Sequence, residues 1–155
     1  MTKIRMTVEN TAAVQQALRQ YGEKAKVELS KAVTATAITV SNDIKRAIEG
    51  PPKTGRVYKR GNIVHRASAP GEAPANDTGT LASAIAFTTP NPLTAIVAVR
   101  ADAASESGAK PLQYAKWLEF GTRNMRPRPA WRPAVEKNTP LFQRLIDAAL
   151  RRAAQ

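Results

Sequence analysis

The sequence of 155 residues contains no cysteine, which excludes disulfides and thiolate metal sites. It has one histidine, His65, with no acidic cluster beside it, so a histidine metal site or a histidine-based triad has little material. His65 reads as a structural strand residue. The 12 acidic residues are scattered, and none repeats the paired carboxylates of a metal-dependent nuclease. The glycines form no phosphate-binding loop. On this reading there is no catalytic, cofactor-binding or metal-binding residue, and the chain is not an enzyme.

Aromatics are also scarce, at 5%, and much of the 43% hydrophobic fraction is alanine. Such a composition supports a folded core, but a modest one, completed on this reading by contact with other subunits. No apolar run approaches bilayer-spanning length, and the first ten residues, MTKIRMTVEN, hold no apolar signal core. The expectation is a protein made in the cytoplasm that stays soluble, or joins something assembled there, without a membrane.

What the chain does have is positive charge. Lys and Arg number 24 against 12 acidic residues, giving a net charge of +12 and a pI near 10.6. An excess of that size calls for a negative partner: nucleic acid, an anionic membrane or an acidic protein surface. The candidate interface residues are Arg56, Lys59 and Arg60, then Arg123, Arg126, Arg128 and Arg132. They can neutralise phosphates, yet no aromatics interleave with them as a stacking platform, and no recognition-helix signature is present. Charge alone does not separate DNA from an acidic protein ring.

The length favours one domain over 1–155. Alternation of Ile4, Met6 and Val8 with Lys3, Arg5 and Thr7 predicts a short strand. Val14, Leu18, Tyr21, Ala25, Leu29, Val40, Ile44 and Ile48 then recur at helical spacing, predicting one long helix over about 11–49. Gly22 is a place for a bend, and Gly50-Pro51-Pro52 ends the helix. A helix this long needs something to lie against. Two β-prone runs, 56–59 and 63–66, flank Gly61-Asn62 as a hairpin. A loop over 67–78 is fixed by Pro70 and Pro74, and Asp77 or Thr78 can cap a short helix over 80–85. Strands follow over 86–89 and 94–100, and 101–109 is a candidate mobile tip. A helix over 110–120 clusters Leu112, Ala115, Trp117 and Leu118. A last helix over 133–154 buries Val135, Leu141, Phe142 and Leu145, with a kink or restart at Pro140 and Thr139 as the new cap. The fold class is α+β: a small, largely antiparallel sheet against a long N-terminal helix, with C-terminal helices.

Two segments carry more information than their neighbours. Residues 66–85 read RASAPGEAPANDTGTLASAI, and residues 114–133 read YAKWLEFGTRNMRPRPAWRP. Asp77-Thr78-Gly79 is a turn-and-cap element, with glycine permitting a positive φ. Glu119-Phe120-Gly121-Thr122 ends a helix, burying Phe120 and leaving Glu119 to meet a guanidinium. Arg126 and Arg128 sit on a stiff proline strut with little entropy to lose on binding. They pair either within the chain, with Glu119, Glu72 or Asp77, or with a neighbouring subunit.

In this order and separation the two segments resemble the gene-ten-like tail-component family of long-tailed bacteriophages, head–tail joining or tail-completion proteins. The likeness rests on Ser68-Ala69-Pro70-Gly71-Glu72, Asp77-Thr78-Gly79, Leu118-Glu119-Phe120-Gly121-Thr122 and Met125-Arg126-Pro127-Arg128-Pro129. It departs at Ala130-Trp131, where the family's bulky aromatic stands one position earlier. The resemblance implies a virion protein of the neck or tail that forms a closed ring, six-fold by analogy, around the DNA path. Its partners would be further copies, other neck and tail proteins, and DNA by non-specific contact. The alternative is a basic nucleic-acid-binding protein using the hairpin.

Overall fold

The computed structural model describes residues 11–104, 108 and 110–155, with the side chains of residues 11 and 60 left aside. The strand expected over 3–8 lies outside the described residues, as does part of the loop over 101–109. The elements in chain order are α1 (Thr11–Glu49), β1 (Val57–Arg60), β2 (Ile63–Arg66), α2 (Thr80–Ala84), β3 (Ile85–Asn91), β4 (Thr94–Val99), α3 (Pro111–Phe120) and α4 (Trp131–Ala153). The expected α+β class is what the chain adopts.

Helix α1 runs unbroken for 39 residues, about 58 Å at 1.5 Å per residue. Gly22 does not interrupt it: the position is open to solvent, and the alanines and glutamines before it are strong helix formers. At the other end the Gly50 amide donates to the Arg46 carbonyl at 2.8 Å. Lys53 Nζ reaches back to the Ala47 carbonyl at 2.7 Å, a cation on the negative end of the helix.

From about Ala25 onward α1 lies against α4, the most extensive contact between any two elements. Asp43 accepts from Asn138 Nδ2 at 2.8 Å, and Glu28 from Arg152 Nε at 2.6 Å. A rising number on one helix meets a falling number on the other, so the pair is antiparallel. Small residues are buried on both helices: Ala25, Ala32 and Ala37 on α1, and Ala134, Ala149 and Ala153 on α4. The hydrogen bond from Asn138, with Lys137 at 3.1 Å, holds the Asp43 carboxyl below its usual range.

Pro140 neither ends nor restarts α4. It sits on the exposed side, and Asn138 Nδ2 and the Thr139 hydroxyl donate to the carbonyls of Ala134 and Val135 at 2.8 and 2.9 Å. Thr139 thus serves the helix behind it instead of capping a new one.

The core gathers Val40, Ile44 and Ile48 of α1 with Leu81, Ala82, Ala84, Ile85 and Val99, and with Ala115 and Ala134. Burying each isoleucine contributes about 1.5–3 kcal/mol. Hairpin β3–β4 is antiparallel, pairing Ile85 with Val99 and Phe87 with Val97, with an irregularity between Thr88 and Asn91. Only its base is buried; Phe87, Leu93 and Ile96 are exposed. Hairpin β1–β2 forms a separate two-stranded sheet, pairing Tyr58 with His65 and Lys59 with Val64.

Candidate functional site

The two motif segments fold against each other below the β1–β2 hairpin. The hairpin is extended by backbone bonds from Gly55 N to Ala67 O at 3.1 Å and from Ala67 N to Arg56 O at 2.9 Å. Gly55 is required there, because a Cβ would meet the Ala67 carbonyl oxygen at 2.6 Å. Beyond Ala67 the loop is held by Glu72. Its carboxylate accepts from the Thr54 hydroxyl at 2.6 Å, the Thr54 amide at 3.1 Å and the Ala69 amide at 2.7 Å. The Thr54 hydroxyl, with the two amides, brings Glu72 from the usual 4.5 down to about 2.

Glu119 does the same work in the second segment. It accepts from the amides of Ala130, Trp131 and Arg132 at 2.8, 3.1 and 2.9 Å. These are unsatisfied amides at the start of α4, where a carboxylate also meets the positive end of the helix. Ala130 at the cap position has no side chain for the task. Glu119 therefore meets backbone amides, not a guanidinium. Phe120 is not buried but 75% exposed, since Gly121 turns the chain straight after it with φ 77°. A Cβ on Gly121 would lie 2.7 Å from the Met125 carbonyl oxygen, so only glycine fits.

The segments are joined by the Gly71 amide, which donates to the Pro127 carbonyl at 2.9 Å, while the Arg128 amide donates to Leu118 O at 2.7 Å. Between them lies a cavity of about 320 Å³ with Tyr58, His65, Asp77, Tyr114, Leu118 and Arg128 in its wall. His65 Nδ1 stands 3.6 Å from Asp77 Oδ1, beyond hydrogen-bond distance, and the His65 ring meets Tyr58 edge-on at 5.1 Å. Burial pushes the Tyr114 phenol up. The cap position of α2 is Gly79, not Asp77 or Thr78, and the Gly79 amide donates to Asn76 Oδ1 at 2.9 Å. Asp77 and Glu119 do not meet: Asp77 faces this cavity, and Glu119 borders a groove beside β4 and α4.

The basic residues divide by what surrounds them. Arg132 pairs with Glu136 at 2.9 Å, and this bond raises the guanidinium's pKa. Arg66 donates to the Gly55 carbonyl at 3.3 Å. Among the described residues no carboxylate lies within ion-pair distance of Arg56, Lys59, Arg123, Arg126 or Arg128. Among the described residues, neither Arg126 nor Arg128 is paired with Glu119 or Glu72. Arg128 is half-buried over the cavity, and its Nε has no hydrogen-bond partner among the described residues. Arg126, Arg123, Arg56 and Lys59 are exposed; the side chain of Arg60 lies outside the described residues. Among the described residues no group of three or more His, Asp or Glu is arranged to hold a metal.

Sequence reading missed Thr54 and Asn76 as parts of this unit. One signal was available for Glu119: α4 starts at an alanine, so its amides must find an acceptor elsewhere. Comparison of the chain with family models, curated proteins and solved structures returned no match.

Proposed function

We propose that the chain is a structural virion protein of a long-tailed bacteriophage, acting at the neck to complete the tail and join it to the head. The observation that carries this reading is the union of the two segments on which the resemblance rests. Gly71 bonds to Pro127, Arg128 and the Pro74–Asp77 stretch wall the same cavity, and the result is one stiff surface unit held by Glu72 and Glu119. Such a unit loses little entropy on docking. Its outward arginines, with no carboxylate partner among the described residues, suit the acidic faces of neighbouring rings or the DNA passing through.

On this reading the protein is made in the host cytoplasm, works as a six-fold ring around the DNA path and performs no catalysis. A phage lacking the gene should yield separate heads and tails by electron microscopy; normal infectious particles would sink the proposal. The rival, a nucleic-acid-binding protein, is favoured by the exposed Arg56 and Lys59 of the hairpin. It predicts DNA binding whose affinity falls steeply with salt, and no binding to neck or tail proteins.

A further inference from the structure

The apolar stripe of α1 has a partner along only about two thirds of its length among the described residues. Ala25 and Ala32 are buried beneath α4, which ends at Ala153. The same stripe continues outward through Tyr21, Leu18 and Val14, which are 41%, 65% and 51% exposed. Residues 12–24 are exposed throughout, an arm of about 20 Å beyond the body. Because α1 is one helix anchored by Ile44 and Ile48, the arm cannot fold back onto the described body of its own chain.

A second apolar surface is also uncovered. A groove of about 600 Å³ lies between β4, α3 and α4, walled by Val97, Leu112, Phe120, Trp131 and Val135. Leu112, Phe120 and Val135 are 47%, 75% and 51% exposed. Contiguous apolar surface of this kind marks a contact site.

Charge identifies the occupant. In a molecule of net charge +12, the groove is neutral and the arm carries a single net positive charge. Residues 12–24 carry Arg19 and Lys24 against Glu23, and the groove carries Lys116 and Arg132 against Glu119 and Glu136. An acidic partner or DNA would choose the basic faces, whereas a second copy of this cationic chain meets least repulsion here. We propose that the α1 arm of one copy lays its Val14–Leu18–Tyr21 face in the β4–α3–α4 groove of the next. Arm and groove share no residue, so where a copy gives its arm to one neighbour and receives that of another the contact is heterologous. Repetition closes into a ring or extends as a filament. This deepens the ring reading and rests on self-association, not on the virion.

The test is sedimentation of the full chain with two variants, Leu18→Glu on the arm and Val135→Glu in the groove, with circular dichroism to check folding. Both positions are half or more exposed, so each variant should fold. The wild type should assemble, and each variant should need roughly tenfold or more protein to do so, as for loss of an interface hot spot. Mixing the two variants should restore a single contact, between the Val135→Glu arm and the Leu18→Glu groove, and give a heterodimer that grows no further. Wild-type assembly that neither variant weakens, or variants that fail to pair when mixed, overturns the arm-in-groove contact while leaving self-association standing. A wild type that stays monomeric at every concentration overturns both.

Discussion

The core and the motif segments are held together by different physics. Around Ile44, Ile48 and Ile85 the chain is fixed by burial, with side chains at 0–2% exposure. The loop after β2 and the strut before α4 bury little apolar surface. Each is fixed by one carboxylate that gathers backbone donors, Glu72 for one and Glu119 for the other. Burial is non-directional and sets where elements lie. Hydrogen bonds to a carboxylate are directional and set the path of a single turn. Segments that present arginines outward cannot also be wrapped in apolar side chains, so the second device is the one that leaves them accessible.

That contrast can be tested by loosening each device in turn, by denaturation at one fixed protein concentration. The largest effect belongs to the core: Ile44→Ala should cost about 2–5 kcal/mol. Glu119→Ala should cost less, about 1–3 kcal/mol, because three amides at the α4 start lose a charged acceptor. A loss as large as that of Ile44→Ala would mean that the strut also organises the interior. Glu72→Gln should leave global stability nearly unchanged and act on the loop alone, read as faster amide exchange at Thr54 and Ala69. The sign for Glu72 follows from its depressed pKa. Its contribution is complete above the ordinary 4.5, declines as pH falls below that value, and is lost through about 2. The loop amides of the wild type should therefore lose protection on acidification, while the Glu72→Gln protein shows no such step. The smallest stability effect, within about 0.5 kcal/mol, is expected for the exposed Arg126→Ala. On the proposed function, that same variant should impair head–tail joining in complementation of a deletion phage.

The local patterns were legible because they are short-range. Helical spacing and Gly50-Pro51-Pro52 gave α1 its extent, and the Gly61-Asn62 turn placed β1 and β2 within a residue. The strands β3 and β4 were expected to start and stop within two residues of where they do. Phe120 was misread because a helix-end aromatic is usually an anchor, and nothing local shows that Gly121 swings the strut beneath it. Val135, Leu112 and Trp117 were assigned to packed faces and are 51%, 47% and 54% exposed. Periodicity shows that a face is apolar, not what covers it.

By itself the sequence determined the class of fold, the long helix and its end, the hairpins, the scarcity of acidic partners and the two segments of interest. Those properties follow from residue type and spacing over a few positions, where backbone sterics and periodicity act. Only the tertiary structure decided that Glu119 caps a helix starting twelve residues later, that Arg128 shares a cavity wall with the loop carrying Asp77, and that about a third of α1 has no cover among the described residues. Each depends on where distant segments come to lie, and a local pattern carries no such information.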